Sequence, residues 1–250
     1  MPIDPPFDLA LVVLLIVFGG FLLFGFAFGE LSPDRTHRQH TLSQLPQPAV
    51  LAACALIWWL AAARGTEIEA FSRYIFLGVA MGFVGDAILR DLLPVRNPVL
   101  WAMAVFGVGH IFYILACREL QILFDLYNTQ VIVIAVVIGG VISVGTWMGL
   151  VRVPGGDPTL NNGSLAYGLL LGGMAAYAVA LAIQFPALLP LAAGAALFMI
   201  SDIILGNYLF HHSKWHLIGD VIWFTYIIGQ ALIVFSNATA LTLLRGALRS

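Results

Sequence analysis

The chain has 250 residues, of which 61% are hydrophobic and only 10% charged, with a formal net charge of −2. A soluble domain carries roughly 25% charged residues, so this composition and a mean hydropathy of +0.97 exclude a protein with water on all sides. The slightly acidic balance argues against nucleic acid as a partner.

A membrane-spanning helix needs ~20 mostly apolar residues at a rise of ~1.5 Å each. Runs of that kind fall at about 8–29, 46–63, 70–93, 98–117, 129–151, 164–184, 187–209 and 217–240. They predict an all-α integral membrane protein, a bundle of eight transmembrane helices forming one polytopic domain over 1–250 and surrounded by membrane lipids. The first run has no Lys or Arg before it and follows Asp4 and Asp8, so it reads as a retained helix, not a signal peptide. Helix two carries Cys54 and helix four Cys117, both in apolar surroundings that suit buried thiols better than a disulfide framework. Helices six and seven are joined only by "QFP" and must form a tight antiparallel pair. Trp58, Trp59, Trp101, Trp147 and Trp215 lie near run ends, where amphipathic rings favour the interface.

With eight crossings both termini share one side, side A. Five arginines lie there, against five arginines and a lysine on side B, so charge bias does not orient the chain.

The informative residues are the polar ones inside the runs, because a charge in hydrocarbon costs at least ~2.5–3.5 kcal/mol. Asp86 stands in helix three ("MGFVGDAILR"), His110 and Tyr113 in helix four, Ser201 and Asp202 in helix seven ("FMISDIILGN"), and Tyr226 and Gln230 in helix eight. Counting rise from the side B ends puts both aspartates at ~10 Å depth, Tyr226 at ~14 Å, His110 at ~18 Å and Gln230 at ~20 Å. The spacing allows a single polar pocket opening toward side B. Each residue also has a plainer reading: an aspartate or tyrosine as an interhelical hydrogen-bonding group, His110 as a satisfied interior histidine, Ser201 bonded back to its own helix.

The aspartates share a local pattern. Gly78, seven residues, Asp86 and "AIL" matches Gly194, seven residues, Asp202 and "IIL"; the following helices carry Gly109-His110 and Gly229-Gln230. This outlines a faint duplication of helices three and four onto seven and eight. A four-helix repeat has an even number of crossings, so its copies would be parallel, a 4+4 arrangement.

The side B loops hold His37, His40, His211, His212 and His216 with Arg35, Arg38 and Lys214. "HHSKWH" has no Cys or carboxylate beside it, so no metal site is expected; a solvated rim or a headgroup-facing surface fits better. "GGDP" at 155–158 is turn chemistry, not a phosphate loop.

The succession "GDAIL…LP", "FGVGHIFYIL", "YGLLLGGMAAYAVA", "GAALFMISDIIL" and "YIIGQALIVF", from about residue 74 to 235, resembles the YhhN-like family of multi-pass membrane proteins, which includes the animal lysoplasmalogenases. The resemblance implies a hydrolase that cleaves the vinyl-ether bond of a lysoplasmalogen to a fatty aldehyde and a glycerophospho-base, without metal or organic cofactor. Carried over by position, it implies Asp86 and Asp202 as the catalytic pair, with His110, Tyr113, Ser201, Tyr226 and Gln230 as the polar wall that meets substrate. The family often has Lys-Pro opening its second helix where this chain has Gln47-Pro48. If that lysine serves the substrate phosphate, Gln47 weakens the transfer of substrate identity. Two carboxyls suit such chemistry, one as proton donor and one as carboxylate beside a cation. A proton-coupled transporter and a non-catalytic lipid-binding protein would use the same buried acids. An intramembrane aspartyl protease fits less well, since the motif is Gly-x-x-Gly-Asp and not Gly-x-Gly-Asp.

Overall fold

A computed structural model describes residues 5–39 and 46–247. They form eight long helices: α1 (Pro5–Phe28), α2 (Pro46–Ile57), α3 (Glu69–Leu89), α4 (Pro98–Leu123), α5 (Thr129–Thr146), α6 (Pro158–Gln184), α7 (Leu189–His211) and α8 (Ile218–Ala247). A two-stranded antiparallel hairpin, β1 (Glu30–Leu31) with β2 (Arg38–Gln39), lies between α1 and α2. α2 and α5 continue into wider π-helical turns at Trp58–Ala63 and Trp147–Val151.

Among the described residues, seven helices are long and apolar enough to cross a membrane, and α1 adds a further apolar stretch at Leu9–Phe24. The chain is a multi-pass integral membrane protein. Its outward faces are hydrophobic in a way only lipid tolerates: Val133, Ile134, Val137 and Val141 on α5 and Leu9, Ile16 and Leu23 on α1 are all exposed. Only 11% of the most apolar stretch of α5 is buried, against 56% for α8, so α5 is peripheral and α8 central.

Caps set the helix ends that hydropathy blurs. α6 begins at Pro158, six residues before the apolar run at 164. The Asp157 carboxylate accepts from the Thr159 amide at 2.7 Å, Pro158 takes the first turn, and Gly155 supplies φ +75° before it. Asn161, inside that polar first turn, bonds both ways with the Val153 backbone. α3 stops at Leu89, short of residue 93, because Asp91 turns the chain with φ +56°. α4 and α8 run on past 117 and 240 to Leu123 and Ala247.

Small residues decide which helices touch. α3 lies along α4 and α7 along α8. At the first crossing a Cβ on Gly109 would stand 3.1 Å from the Gly78 carbonyl oxygen; at the second, a Cβ on Gly194 or on Gly229 would stand 2.7 or 2.8 Å from the other's carbonyl oxygen. Backbones this close leave no room for any side chain. α6 packs against α4 while α2 packs against α8, and α6 turns into α7 through Pro186–Leu188.

The side B loops are tied together. The Leu217 amide donates to the Arg35 carbonyl at 3.0 Å and the Gly219 amide to the Thr36 carbonyl at 2.8 Å. Asp34 Oδ1 accepts from the Ser32 and Thr36 hydroxyls at 2.8 Å each, and its Oδ2 lies 3.3 Å from Lys214 Nζ. The hairpin is thereby stitched to the start of α8, which sets Thr36 and His37 over the space between α3, α7 and α8.

Candidate active site

Asp86 and Asp202 line the same cavity, of about 320 Å³, on the side B half of the bundle. Asp86 is buried on α3, and Asp202 borders the same cavity from α7. Ser201, Phe106, Trp223 and Tyr226 form the walls, and Thr36, His37, Arg90 and Gly219 the mouth. A second, narrower cavity of about 90 Å³ runs between α4, α5, α6 and α7. Its lining is apolar, with Met103, Phe106, Leu171, Ile203 and Leu209 among it, apart from Asp202, Tyr167 and a few hydroxyls. Asp202, Leu89, Phe106 and Leu205 border both spaces. Asp202 thus stands where a polar chamber meets an oily groove, while Asp86 faces the polar chamber alone.

Each aspartate is held by a tyrosine from another helix. Tyr226 Oη donates to Asp86 Oδ2 at 2.7 Å, and Tyr167 Oη donates to Asp202 Oδ2. Behind Tyr226, Gln230 Nε2 lies 3.4 Å from its oxygen, and Gln230 Oε1 accepts from Tyr113 Oη at 2.6 Å. Behind Tyr167, His110 Nε2 lies 3.1 Å from the phenol oxygen. The one phenolic proton of Tyr167 goes to Asp202, so His110 Nε2 carries a hydrogen and donates. On both sides an N–H from the residue after a crossing glycine supports a phenol, and the phenol supports an aspartate.

The residues singled out in the sequence therefore fall into two layers. Asp86, Asp202, Ser201 and Tyr226 line the polar chamber. His110, Tyr113 and Gln230 are buried behind it and line neither cavity, so their reach to a bound molecule runs through the tyrosines. Ser201 does not bond back along α7; its Oγ donates across to the Ile222 carbonyl on α8 at 2.8 Å. Of the loop histidines, His37 reaches the mouth, His211, His212 and His216 are exposed, and His40 lies outside the described residues. Among the described residues no group of three or more His, Cys, Asp or Glu side chains is placed to hold a metal, and Cys54 and Cys117 are free and buried.

Sequence reasoning missed Tyr167, Arg90 and Trp223. Tyr167 had a weak signal, one of two phenols, with Tyr177, in the apolar run of helix six. Arg90 follows Asp86 by one helical turn, interacts with its charge, and lies 5.4 Å from the centre of the Trp223 ring. Trp223 Nε1 in turn donates to Gln47 Oε1 at 2.9 Å. Gln47 is fully buried and lines neither cavity, with Trp223 between it and the polar chamber. The position where the family often has lysine is, in this chain, a support for the tryptophan wall.

A helical membrane bundle that closes two tyrosine-bonded aspartates around a chamber open to one face defines a multi-pass membrane protein with an embedded acidic site. Residues 45–237 match the model of the YhhN family, and the chain belongs to that family. No curated protein and no solved structure matches the chain.

Proposed function

We propose that the protein is a membrane-embedded hydrolase of the lysoplasmalogenase type, which cleaves the vinyl-ether bond of a single-chain phospholipid. One observation carries the reading: Asp202 borders both the oily groove and the polar chamber, and Asp86 faces it from the polar side alone. An amphiphile with its chain in the groove and its glycerol in the chamber has its first chain carbons beside Asp202. A vinyl ether is broken there, at the junction of chain and glycerol. Family membership supports the same class.

Asp202, protonated, gives its proton to the outer alkene carbon, which leaves an oxocarbenium ion on the carbon bearing oxygen. Asp86, as carboxylate in the polar chamber, stabilises that cation and then takes a proton from the water that adds to it. Asp202 next receives the proton of the hemiacetal hydroxyl while Asp86 returns its own to the departing glycerol oxygen. One water is consumed, an aldehyde and an alcohol are released, and both carboxyls return to their starting states. Tyr167 and Tyr226 hold the two carboxyls in register, and the route asks for no metal or organic cofactor.

The same reading takes the two halves as parallel copies of a four-helix unit. The paired glycine crossings, the matching α4–α6 and α2–α8 contacts, and the parallel supports from His110 and Gln230 favour it.

The test is purified protein in detergent with a lysoplasmalogen, scored by released aldehyde, beside Asp86→Asn and Asp202→Asn. Each substitution is expected to lower kcat by at least ~10³-fold. Wild-type turnover in either variant would falsify the acid pair. Flux of the lipid across vesicles without any aldehyde would replace the hydrolase with a transporter.

A further inference from the structure

We propose that Arg90 is the seat for the phosphate of the bound lipid, and so the residue that discriminates the phospholipid from the neutral ether glyceride sharing its chain. This rests on the hydrolase reading for its substrate but stands on separate observations.

Arg90 is the one permanently cationic side chain among the described residues lining the polar chamber, and it stands at the mouth while Asp86 sits deeper. It is half-buried and stacked against Trp223, which Gln47 fixes from behind, so the guanidinium is pre-positioned on a rigid wall. An ordered guanidinium favours phosphate, whose paired oxygens match its fork of donors.

Distance along the helix agrees. Four residues separate Asp86 from Arg90, a rise of ~6 Å. In a lysoplasmalogen the ether oxygen and the phosphorus are separated by five single bonds, which in an extended zigzag span roughly 6 Å. A phosphate on Arg90 therefore leaves the ether oxygen level with the carboxyls, and the chain then points past Asp202 into the groove. The plainer role for Arg90 is to balance the charge of Asp86. That role would affect every ligand alike, whereas a phosphate seat affects only ligands bearing phosphate.

The experiment measures binding to the detergent-purified full chain of two non-cleavable saturated ether lipids that share a chain: an alkyl lysophosphatidylethanolamine and the corresponding alkylglycerol. Wild type is expected to bind the phosphate-bearing lipid about 30-fold more tightly. Arg90→Gln should abolish that preference while leaving alkylglycerol affinity unchanged, and Arg90→Lys should keep part of it. Equal affinities in wild type would overturn the proposal without recourse to any variant, as would an unchanged preference in a folded Arg90→Gln protein. Equal loss for both lipids would reduce Arg90 to a counter-ion. Displacement of the lipid by an equal concentration of inorganic phosphate would make this a free-phosphate site and remove the lipid assignment. The two readings fail separately. Absence of aldehyde release with the binding preference intact sinks the hydrolase alone; aldehyde release from vinyl-ether lipids with and without phosphate at equal kcat/KM sinks the seat alone.

Discussion

A methyl group on Gly194 tests how the central crossing controls the site. In Gly194→Ala the new Cβ would lie 2.7 Å from the Gly229 carbonyl oxygen and 3.0 Å from the Ile233 amide nitrogen, both main-chain atoms that cannot rotate away. Restoring an ordinary contact of about 3.4 Å requires α7 and α8 to part by ~0.7 Å, and overpacking of this kind costs ~1–3 kcal/mol. For a chain of this size that corresponds to a fall of roughly 2–12 °C in thermal midpoint. Tyr226 lies one turn before Gly229, so moving α8 stretches its 2.7 Å bond to Asp86 toward ~3.4 Å, where little hydrogen bonding remains. Misplacement on this scale costs ~10- to 100-fold in rate. Thermal unfolding and aldehyde release on the same preparations give both numbers. Gly173→Ala is the matched control, since a Cβ there meets nothing within 4 Å and the residue lines neither cavity. A Gly194→Ala protein as stable and active as Gly173→Ala would show that this crossing does not hold Tyr226 in place.

Three further outcomes are expected. Tyr167→Phe removes the donor to Asp202 and leaves His110 Nε2 without an acceptor; kcat should fall ~10- to 100-fold with KM changed less than threefold, and a large KM effect alone would mean Tyr167 binds substrate instead of orienting the acid. Gln47→Met deprives the buried Trp223 indole of its acceptor, which should lower stability by ~1–3 kcal/mol and weaken selection of phosphate-bearing lipid by freeing the wall behind Arg90; an unaltered thermal midpoint would contradict this. Asp34 is held well below the usual carboxylate range, first by the Thr36 and Ser32 hydroxyls. A depressed carboxyl contributes fully above its unfolded value near ~3.9 and loses its contribution as pH falls through the folded one. The gap in thermal midpoint between wild type and Asp34→Ala should therefore be constant from pH 8 to pH 5 and shrink only in acid below ~4; a gap that closes between pH 8 and 5 would refute the staple.

Hydropathy placed the eight helices, because lipid demands apolar length and each apolar run became a helix, but among the described residues only seven are long and apolar enough to cross. It failed at the ends. The polar first turn of α6 is helical because Asp157, Pro158 and Asn161 satisfy its backbone, and apolar counting registers only the part of a helix that meets lipid. Asp86 and Asp202 were legible for the opposite reason, since a carboxylate in hydrocarbon stands out in any sequence. Tyr167 did not stand out, because a phenol is at home at many depths and its pairing depends on how α6 is rotated against α4 and α7. Layering was also hidden. Helix rise gives depth but not azimuth, so His110, Tyr113 and Gln230 looked like chamber wall and are the second row behind it. The Gly78–Gly109 and Gly194–Gly229 crossings were visible only as small residues at matched spacing; that they face one another is a property of four helices at once.

The place of Asp202 between two unlike cavities bears on traffic as well as chemistry. On the proposed reaction the bond broken is the one that joins an oily half to a watery half. Scission at that boundary leaves the aldehyde already in the groove beside α5, the least buried of the seven spanning helices, and the glycerophospho-base already at the mouth on side B. Neither product needs to cross the space of the other to leave. Each partitions into the phase it prefers, so turnover would be limited by the supply of lipid and scarcely at all by either product returning.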